Sequence, residues 1–274
     1  MDSIKQKLSS NPGASTLSRK QMLVRAGKKA AKYTLFFAPF GLSGLFPDKA
    51  QGGIKKMEIS RLLNVALQME FVLKDFYQLA RDNKNLVPSP YSKSINETYG
   101  HHLNHLLMLK NRIFSVHEDA ENVTSHVKAK FNIGDLKPKK DFDDFLQLGQ
   151  VLEDAAAALY KKIAPKVRDN NGSSKLQRYL LQSHTTEARH AGYLRMIRAE
   201  RGIENLSPWP SAANNKVLPE LQEIYENEDN YIQNDIDLSE ITALPLPVIK
   251  EAWDEPCRND AFDNLFLALK VTFY

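Results

Sequence analysis

The sequence has 274 residues, a single cysteine and a formal net charge of +4 that is unevenly distributed. Residues 1–50 carry nine Lys/Arg against two Asp, a net of +7, which leaves −3 for the remainder. The length allows one sizeable domain. The acidic body offers no basic patch for nucleic-acid binding, and a single cysteine excludes a disulfide framework and a CxxC zinc site.

The first fifty residues are expected to be an export signal. The stretch SRKQML, from Ser18, resembles the twin-arginine translocation motif with Lys20 in place of the second arginine, and fourteen uncharged residues follow at 33–46. A membrane-spanning helix needs about 20 apolar residues, so this stretch is too short. A basic region, a short apolar stretch and the small Ala50 instead describe a signal peptide, with a periplasmic or cell-envelope location. The alternative is an amphipathic N-terminal helix that docks on the domain, or that lies on a membrane and contacts it through residues 20–46.

Four further segments show the three- and four-residue spacing of apolar residues that is typical of amphipathic helices. They run from Met57 to about Asn83, from about Ser92 to Val116, from about Asp141 to Ile163 near Pro165, and from Ser174 to about Arg201 before Gly202. About two dozen residues separate the second and third segments, enough for one long crossover. The pattern predicts an all-α fold, an antiparallel four-helix bundle.

Each predicted helix places titratable residues in the middle of its apolar stripe. They are Glu70 in the first helix, His102 and His105 in the second, Glu153 in the third, and Glu187 and His190 in the fourth. A buried carboxylate must be paired or protonated, because burial of a bare charge is costly. Carboxylates with imidazoles suit iron, manganese or zinc, so the pattern predicts a shared metal site. The alternative is a metal-free network in which the buried acids pair with the histidines.

Four segments resemble, in chain order, the core helices of bacterial exported ferritin-like domain proteins, which are relatives of rubrerythrin-type di-iron bundles: LLNVALQMEFVLKDFY, HHLNHLLMLK, VLEDAAAALY and EARHAGYLR. Two tail segments are similar to those that follow the bundle in one branch of that family: IYENEDNYIQNDIDL and EAWDEP. The resemblance implies a ferritin-like bundle over residues 55–203 and a mostly helical extension over 204–274 that packs on it.

The resemblance also implies a function. A di-metal site, with iron as the expected metal and manganese or zinc as alternatives, would make the protein an oxidoreductase acting on oxygen, peroxide or ferrous iron. Tyr77 or Tyr160 would be redox neighbours of that site. The alternative function is a metal-free bundle with a structural or binding role at the cell envelope.

The second helix departs from the family pattern. His105 matches the expected histidine ligand, but His102 stands where a glutamate is expected, which lowers the ligand charge from −4 to −3. A neutral imidazole has one free lone pair, so the site is expected to hold one metal, two loosely bound metals, or a nitrogen-preferring ion such as zinc. A modest rotation of this helix would present Glu97 and His101 instead, with Glu97 as a reserve carboxylate.

The tail is expected to contain short helices over the segments LPELQEIYENED and NDAFDNLFLALKVTFY. Three large aromatic residues are expected to pack against the bundle or against a second subunit of a homodimer: Trp209, Trp253 and Phe262.

Overall fold

The computed structural model describes residues 56–116, 129–131, 142–169, 173–212, 215–233, 235–253, 255–258, 260–268 and 271–273. The expected export segment, residues 1–50, lies outside these ranges, so export stays a prediction. Within the described ranges, none of the helices combines the length and the apolar character needed to cross a bilayer.

Four long helices form the bundle: α1 (Lys56–Asp82), α2 (Ser89–Val116), α3 (Phe142–Asp169) and α4 (Ser174–Glu200). The helices pack mainly in two pairs, α1 on α2 and α3 on α4, and α1 also contacts α3. Short connections join the helices within each pair, whereas the connection from α2 to α3 is long and includes strand β1 (Ala129–Phe131). The all-α four-helix expectation is therefore confirmed.

Local signals explain the ends of α4. The side chain of Ser173 caps the helix by accepting a hydrogen bond from the backbone N–H of Leu176 at 3.2 Å. At the other end Gly202 has φ +101°, a left-handed conformation that a side chain would strain, and its N–H donates to Ala199 O. The predicted stop at Gly202 is thus confirmed.

Two predicted boundaries were wrong, both because of proline. Helix α2 begins at Ser89, a turn earlier than expected, and Pro90 is tolerated there because first-turn N–H groups have no intrahelical acceptor. Helix α3 continues through Pro165 to Asp169 instead of ending near Ile163. An internal proline costs about 3 kcal/mol, and the full burial of the apolar residues around it, such as Ile163 and Val167, offsets this cost.

The inner faces of the helices meet in one apolar core, as the stripes predicted. Gly149 on α3 permits a close approach of three helices, since a Cβ there would lie 3.0 Å from Leu194 Cδ1 and 3.1 Å from Phe76 Cε1. The Phe76 ring stacks on Phe145 with centroids 4.6 Å apart. This tight layer lies one turn before Glu153 and fixes the spacing of α1, α3 and α4 near the polar centre of the bundle.

The extension is less helical than expected. It contains a 3₁₀-helix (Pro219–Tyr225), strands β2 (Ile232–Gln233) and β3 (Ile236–Asp237), three short helices and strand β4 (Val271–Phe273). The short helices are α5 (Leu238–Ile241), α6 (Leu246–Lys250) and α7 (Ala261–Ala268). The last predicted helix is therefore wrong beyond Ala268, where β-branched and aromatic residues form β4, antiparallel to β1 in the crossover. The short helix predicted over LPELQEIYENED is a 3₁₀-helix and ends at Tyr225.

The three aromatic residues of the tail behave differently. Phe262 is fully buried, as expected, whereas Trp209 and Trp253 are each 49% exposed, so the described residues of this chain leave about half of each tryptophan uncovered. Trp209 Nε1 donates instead to Glu251 Oε2 in the extension, at 3.1 Å. Packing of these tryptophans against a second subunit stays a prediction.

The extension covers the outer face of α3 and the other helices cover its inner face, so every residue from 148 to 160 is buried. The contact contains a polar group that we call the arginine cluster: Gln150, Asp154, Arg195, Arg198, Asn215 and Tyr225. Arg195 binds Asp154 through both terminal nitrogens, and the Tyr225 hydroxyl donates to Asp154 Oδ2 at 2.6 Å. Asp154 thereby connects helix α3 to α4 through Arg195 and to the extension through Tyr225.

Candidate metal centre

Each long helix contributes a buried polar side chain at the same level of the bundle. The midpoints of the four helices fall at residues 69, 102–103, 155–156 and 187. Within three residues of these midpoints lie, in order, Glu70, His102, Glu153 and Glu187. Their side chains are 0% exposed. His105 and His190, each three residues further along α2 and α4, are 13% and 10% exposed. We call these six residues the carboxylate–histidine cluster.

One half of the cluster is built around His105. Its Nδ1 lies 3.1 Å from Glu70 Oε1 on α1 and 2.7 Å from Glu187 Oε1 on α4. A single Nδ1–H can donate to only one of these oxygens. Consistent with this, Glu187 Oε1 is buried and accepts no hydrogen bond despite the short distance.

The other half is built in the same way around His190. Its Nδ1 lies 2.9 Å from Glu187 Oε2 and 3.4 Å from Glu153 Oε2 on α3. Glu187 and His190 are on the same face of α4 because they are three residues apart. Each half therefore directs one ring nitrogen at carboxylate oxygens from two different helices.

Two residues belong to both halves. Glu187 points Oε1 at His105 and Oε2 at His190, so its two oxygens span the centre. The His102 ring also spans it, with Nδ1 2.9 Å from Glu70 Oε2 and Nε2 3.2 Å from Glu153 Oε1. The potential ligand atoms in each half lie within 4.8 Å of one another, in two sets: Glu70, His102, His105 and Glu187, and His102, Glu153, Glu187 and His190.

Tyrosine hydroxyls hold two of the carboxylates from outside. Tyr77 donates to Glu153 Oε1 and Tyr160 donates to Glu70 Oε1, each at 2.5 Å. The Tyr77 ring also stacks on His102, with centroids 5.2 Å apart. These contacts restrict the rotation of both carboxylates and of the central ring.

The titration behaviour of the cluster follows from its mixed charges. Burial would raise the pKa of Glu70, but hydrogen bonds from His102 and His105 outweigh it and lower that pKa to about 2. Burial would lower the pKa of each outer histidine, but the facing carboxylates raise it to about 10 for His105 and about 9 for His190. Burial together with the charge of Glu70 raises the pKa of Glu187. Without metal, the imidazoles and the carboxylates of Glu70 and Glu153 stabilise each other's charged forms, whereas the raised pKa of Glu187 disfavours its charged form.

The residues present fit a divalent cation. The donor set has three carboxylates and three imidazoles, which suits first-row ions. Each of the Nδ1 atoms of His105 and His190 faces two carboxylate oxygens, and one of these oxygens, Glu187 Oε1, is buried without a hydrogen bond. A cation between such atoms would contact all of them, which a single proton cannot do.

The structure brings together all six residues that the sequence singled out, and it leaves the reserve carboxylate outside. The Glu97 side chain is 58% exposed and pairs weakly with Lys93 at 3.9 Å, so the expectation that it could replace a ligand was wrong for this arrangement. His101 is also exposed, yet its Nδ1 lies 2.9 Å from His190 Nε2. Sequence spacing did not reveal this contact, because the two residues are 89 positions apart.

Comparison with known proteins agrees with the architecture. A family model described as a ferritin-like domain matches residues 59–200, which are 142 of the 274 residues. The matched range includes all six residues of the carboxylate–histidine cluster and ends with α4. Comparisons with curated proteins and with solved structures returned no match.

Proposed function

This chain belongs to the ferritin-like domain family, and from that premise we propose that its carboxylate–histidine cluster binds divalent metal ions. The observation that carries the proposal is the convergence around His105 and His190. In each case one Nδ1 faces carboxylate oxygens from two other side chains, and these carboxylates are fully buried. Such an arrangement has more lone pairs on oxygen and nitrogen than hydrogens to share between them, which is typical of the ligands of a metal ion.

The roles of the six residues follow from the two halves. Glu70 and His105 would hold an ion on one side, and Glu153 and His190 would hold an ion on the other. Glu187 could contribute an oxygen to each position, whereas His102, with one free lone pair when neutral, could bind at only one of them. Tyr77 and Tyr160 fix the carboxylates of Glu153 and Glu70 by donating hydrogen bonds to them. Outer hydrogen bonds of this kind orient ligands and tune affinity.

We further propose iron as the first candidate metal, with manganese or zinc as alternatives, and, with a redox-active ion, an oxidoreductase activity toward oxygen, peroxide or ferrous iron. A bound iron or manganese ion would supply the one-electron chemistry, whereas zinc, which has no redox chemistry, would not. The chain itself supplies a largely buried site and two histidines, His105 and His190, that exchange a proton for the ion. The family and the mixed oxygen and nitrogen donor set support this proposal.

The direct test is to count metal in the purified protein after supplementation with Fe²⁺, Mn²⁺ or Zn²⁺. Wild type is expected to retain at least one equivalent, and Glu187→Gln, which keeps the side-chain size but removes the charge, should lose it. Glu97→Gln is the matched control, since it removes an exposed carboxylate from α2. Metal at 100 times its dissociation constant should stabilise wild type by about 2.7 kcal/mol and leave Glu187→Gln unchanged.

A second function is favoured by one observation, the position of His102. This fully buried ring lies between Glu70 and Glu153, where a protonated imidazole balances two acids without any ion. With three imidazoles against three carboxylates the centre can be neutral, as a metal-free structural or binding bundle requires. Failure of wild type to retain any of the three ions would support this function and contradict metal binding.

For location, we propose export to the periplasm or cell envelope, supported by the basic residues 1–50 and the apolar stretch at 33–46. Fractionation of cells that express the full chain tests it. Substitution of Arg19 and Lys20 by alanine should retain the protein in the cytoplasm if the twin-arginine-like motif directs export. An unchanged distribution would contradict that route.

A further inference from the structure

His101 lies at the solvent side of the carboxylate–histidine cluster and contacts it through a single residue. It precedes the buried His102 on α2 and is itself exposed. Its ring lies side by side with the His190 ring of α4, with centroids 5.1 Å apart and planes 7° from parallel. We propose that His101 is a positioning residue that fixes the ring of His190 so that the Nδ1 lone pair of His190 faces a bound metal ion. This inference rests on the proposed function and adds a residue to it.

The argument begins with the two nitrogens of His190. Nδ1 faces inward, 2.9 Å from Glu187 Oε2 and 3.4 Å from Glu153 Oε2. Nε2 faces outward and lies 2.9 Å from His101 Nδ1, within hydrogen-bond distance. A neutral imidazole ring that carries its proton on Nε2 has a free lone pair on Nδ1, which can bind a cation. The hydrogen bond from His190 Nε2 to His101 therefore determines that Nδ1 is the nitrogen available to the metal.

His101 occupies a place that metal sites usually fill with another kind of group. A histidine that binds metal nearly always donates its second N–H to a carboxylate, a backbone carbonyl or water, and loss of that acceptor typically lowers metal affinity 10–100-fold. Here the acceptor is His101 Nδ1, while the exposed side of the His101 ring leaves its own Nε2–H to solvent.

Direct ligation by His101 is the competing assignment. The geometry disfavours it, because His101 Nδ1 faces His190 Nε2, the nitrogen that points away from the carboxylates. A positioning residue alters affinity and spectrum with an unchanged number of bound ions. A ligand would alter the number or the coordination of the ions.

The test separates the ring of His101 from its acceptor nitrogen. His101→Phe keeps an aromatic ring beside His190 but removes the acceptor, whereas His101→Asn places an amide oxygen near the position of Nδ1 without the ring. Asn104→Ala, at an exposed position of the same helix, is the control. The probe is Co²⁺, whose visible absorption reports ligand geometry, titrated into each metal-free protein.

The expected result is a 10–100-fold loss of Co²⁺ affinity and an altered absorption spectrum in His101→Phe, with affinity restored in His101→Asn and unchanged in Asn104→Ala. Wild-type affinity and spectrum in His101→Phe would overturn the inference. Equal weakening in the Phe and Asn variants would also overturn it, since the acceptor would then be irrelevant. A loss of one bound equivalent in both variants would make His101 a ligand and overturn the positioning role.

A measurement on the metal-free protein distinguishes failure of this inference from failure of the proposed function. Nitrogen-15 NMR of the histidine rings should show His101 Nδ1 without a proton and His190 Nε2 with one. A proton on His101 Nδ1 overturns the inference even where wild type binds metal. If wild type binds no ion, the proposed function fails on its own titration, whatever the NMR spectrum shows.

Discussion

Two adjacent residues of α3, Glu153 and Asp154, belong to two separate buried polar groups, because successive side chains of an α-helix point about 100° apart. Glu153 faces the bundle centre and meets His102 and His190. Asp154 faces the extension and meets both terminal nitrogens of Arg195, a residue only 1% exposed. Both carboxylates are buried, so burial of an acid does not by itself indicate a metal site.

The difference lies in the partners. In the arginine cluster the compensating charge is a guanidinium, which keeps its protons under all ordinary conditions and cannot bind metal. In the carboxylate–histidine cluster the compensating groups are imidazoles, each of which can give up a proton and offer a lone pair instead. The first group is a permanent structural contact, and the second can exchange protons for ions.

The largest expected effect comes from breaking the arginine cluster. Asp154→Ala leaves Arg195 as a buried charge without its carboxylate, which should destabilise the protein by about 3–5 kcal/mol in urea unfolding. Tyr225→Phe removes only one hydrogen bond to that carboxylate and should cost about 1.5–3 kcal/mol. Both variants should bind as many metal equivalents as wild type below their unfolding temperatures. Loss of metal with unchanged stability in either variant would contradict the separation of the two groups.

The two groups should also differ in their response to pH. In the metal-free protein the pKa values of His105 and His190 are raised from 6.5 to about 10 and about 9. Their contribution to stability is therefore complete below pH 6.5 and is lost as the pH rises through 9 and 10. The pKa of Glu70 is lowered from 4.5 to about 2, so its contribution is present above pH 4.5 and is lost as the pH falls toward 2.

Metal binding should show the opposite trend above pH 6.5. An ion that displaces the protons of His105 and His190 gains apparent affinity by about tenfold per pH unit for each proton released. Calorimetric titrations in two buffers of different ionisation enthalpy measure the number of protons. Asp154→Ala serves as the control. The guanidinium groups of the arginine cluster do not titrate in this range, so the metal affinity of this variant should depend on pH as that of wild type does. A pH-independent metal affinity between pH 6 and 8 would contradict the exchange of protons for ions.

Much of the bundle and of its centre could be predicted from the sequence, because both rest on local periodicity. A polar residue such as Glu70 within an apolar stripe is visible along a single helix. Contacts between distant segments were not visible, for example the pairing of β1 with β4 or of His101 with His190. Arg195 was missed for a related reason: on α4 alone it lies beside the inward face, and only the folded extension buries it.

The last and smallest effect tests the residue that sets this chain apart from the family pattern. His102→Glu should raise the affinity for a second ion by about tenfold. The added carboxylate attracts the ion by up to about 4 kcal/mol, and the cost of burying a fourth acid offsets most of this attraction. The same change should destabilise the metal-free protein, because four carboxylates would face only His105 and His190. His102→Gln, whose side chain has the length of glutamate but no charge, should not show this gain in affinity. If His102→Glu bound fewer ions than wild type, the ring nitrogens of His102 would themselves be required for metal binding, and a carboxylate could not take their place in this chain.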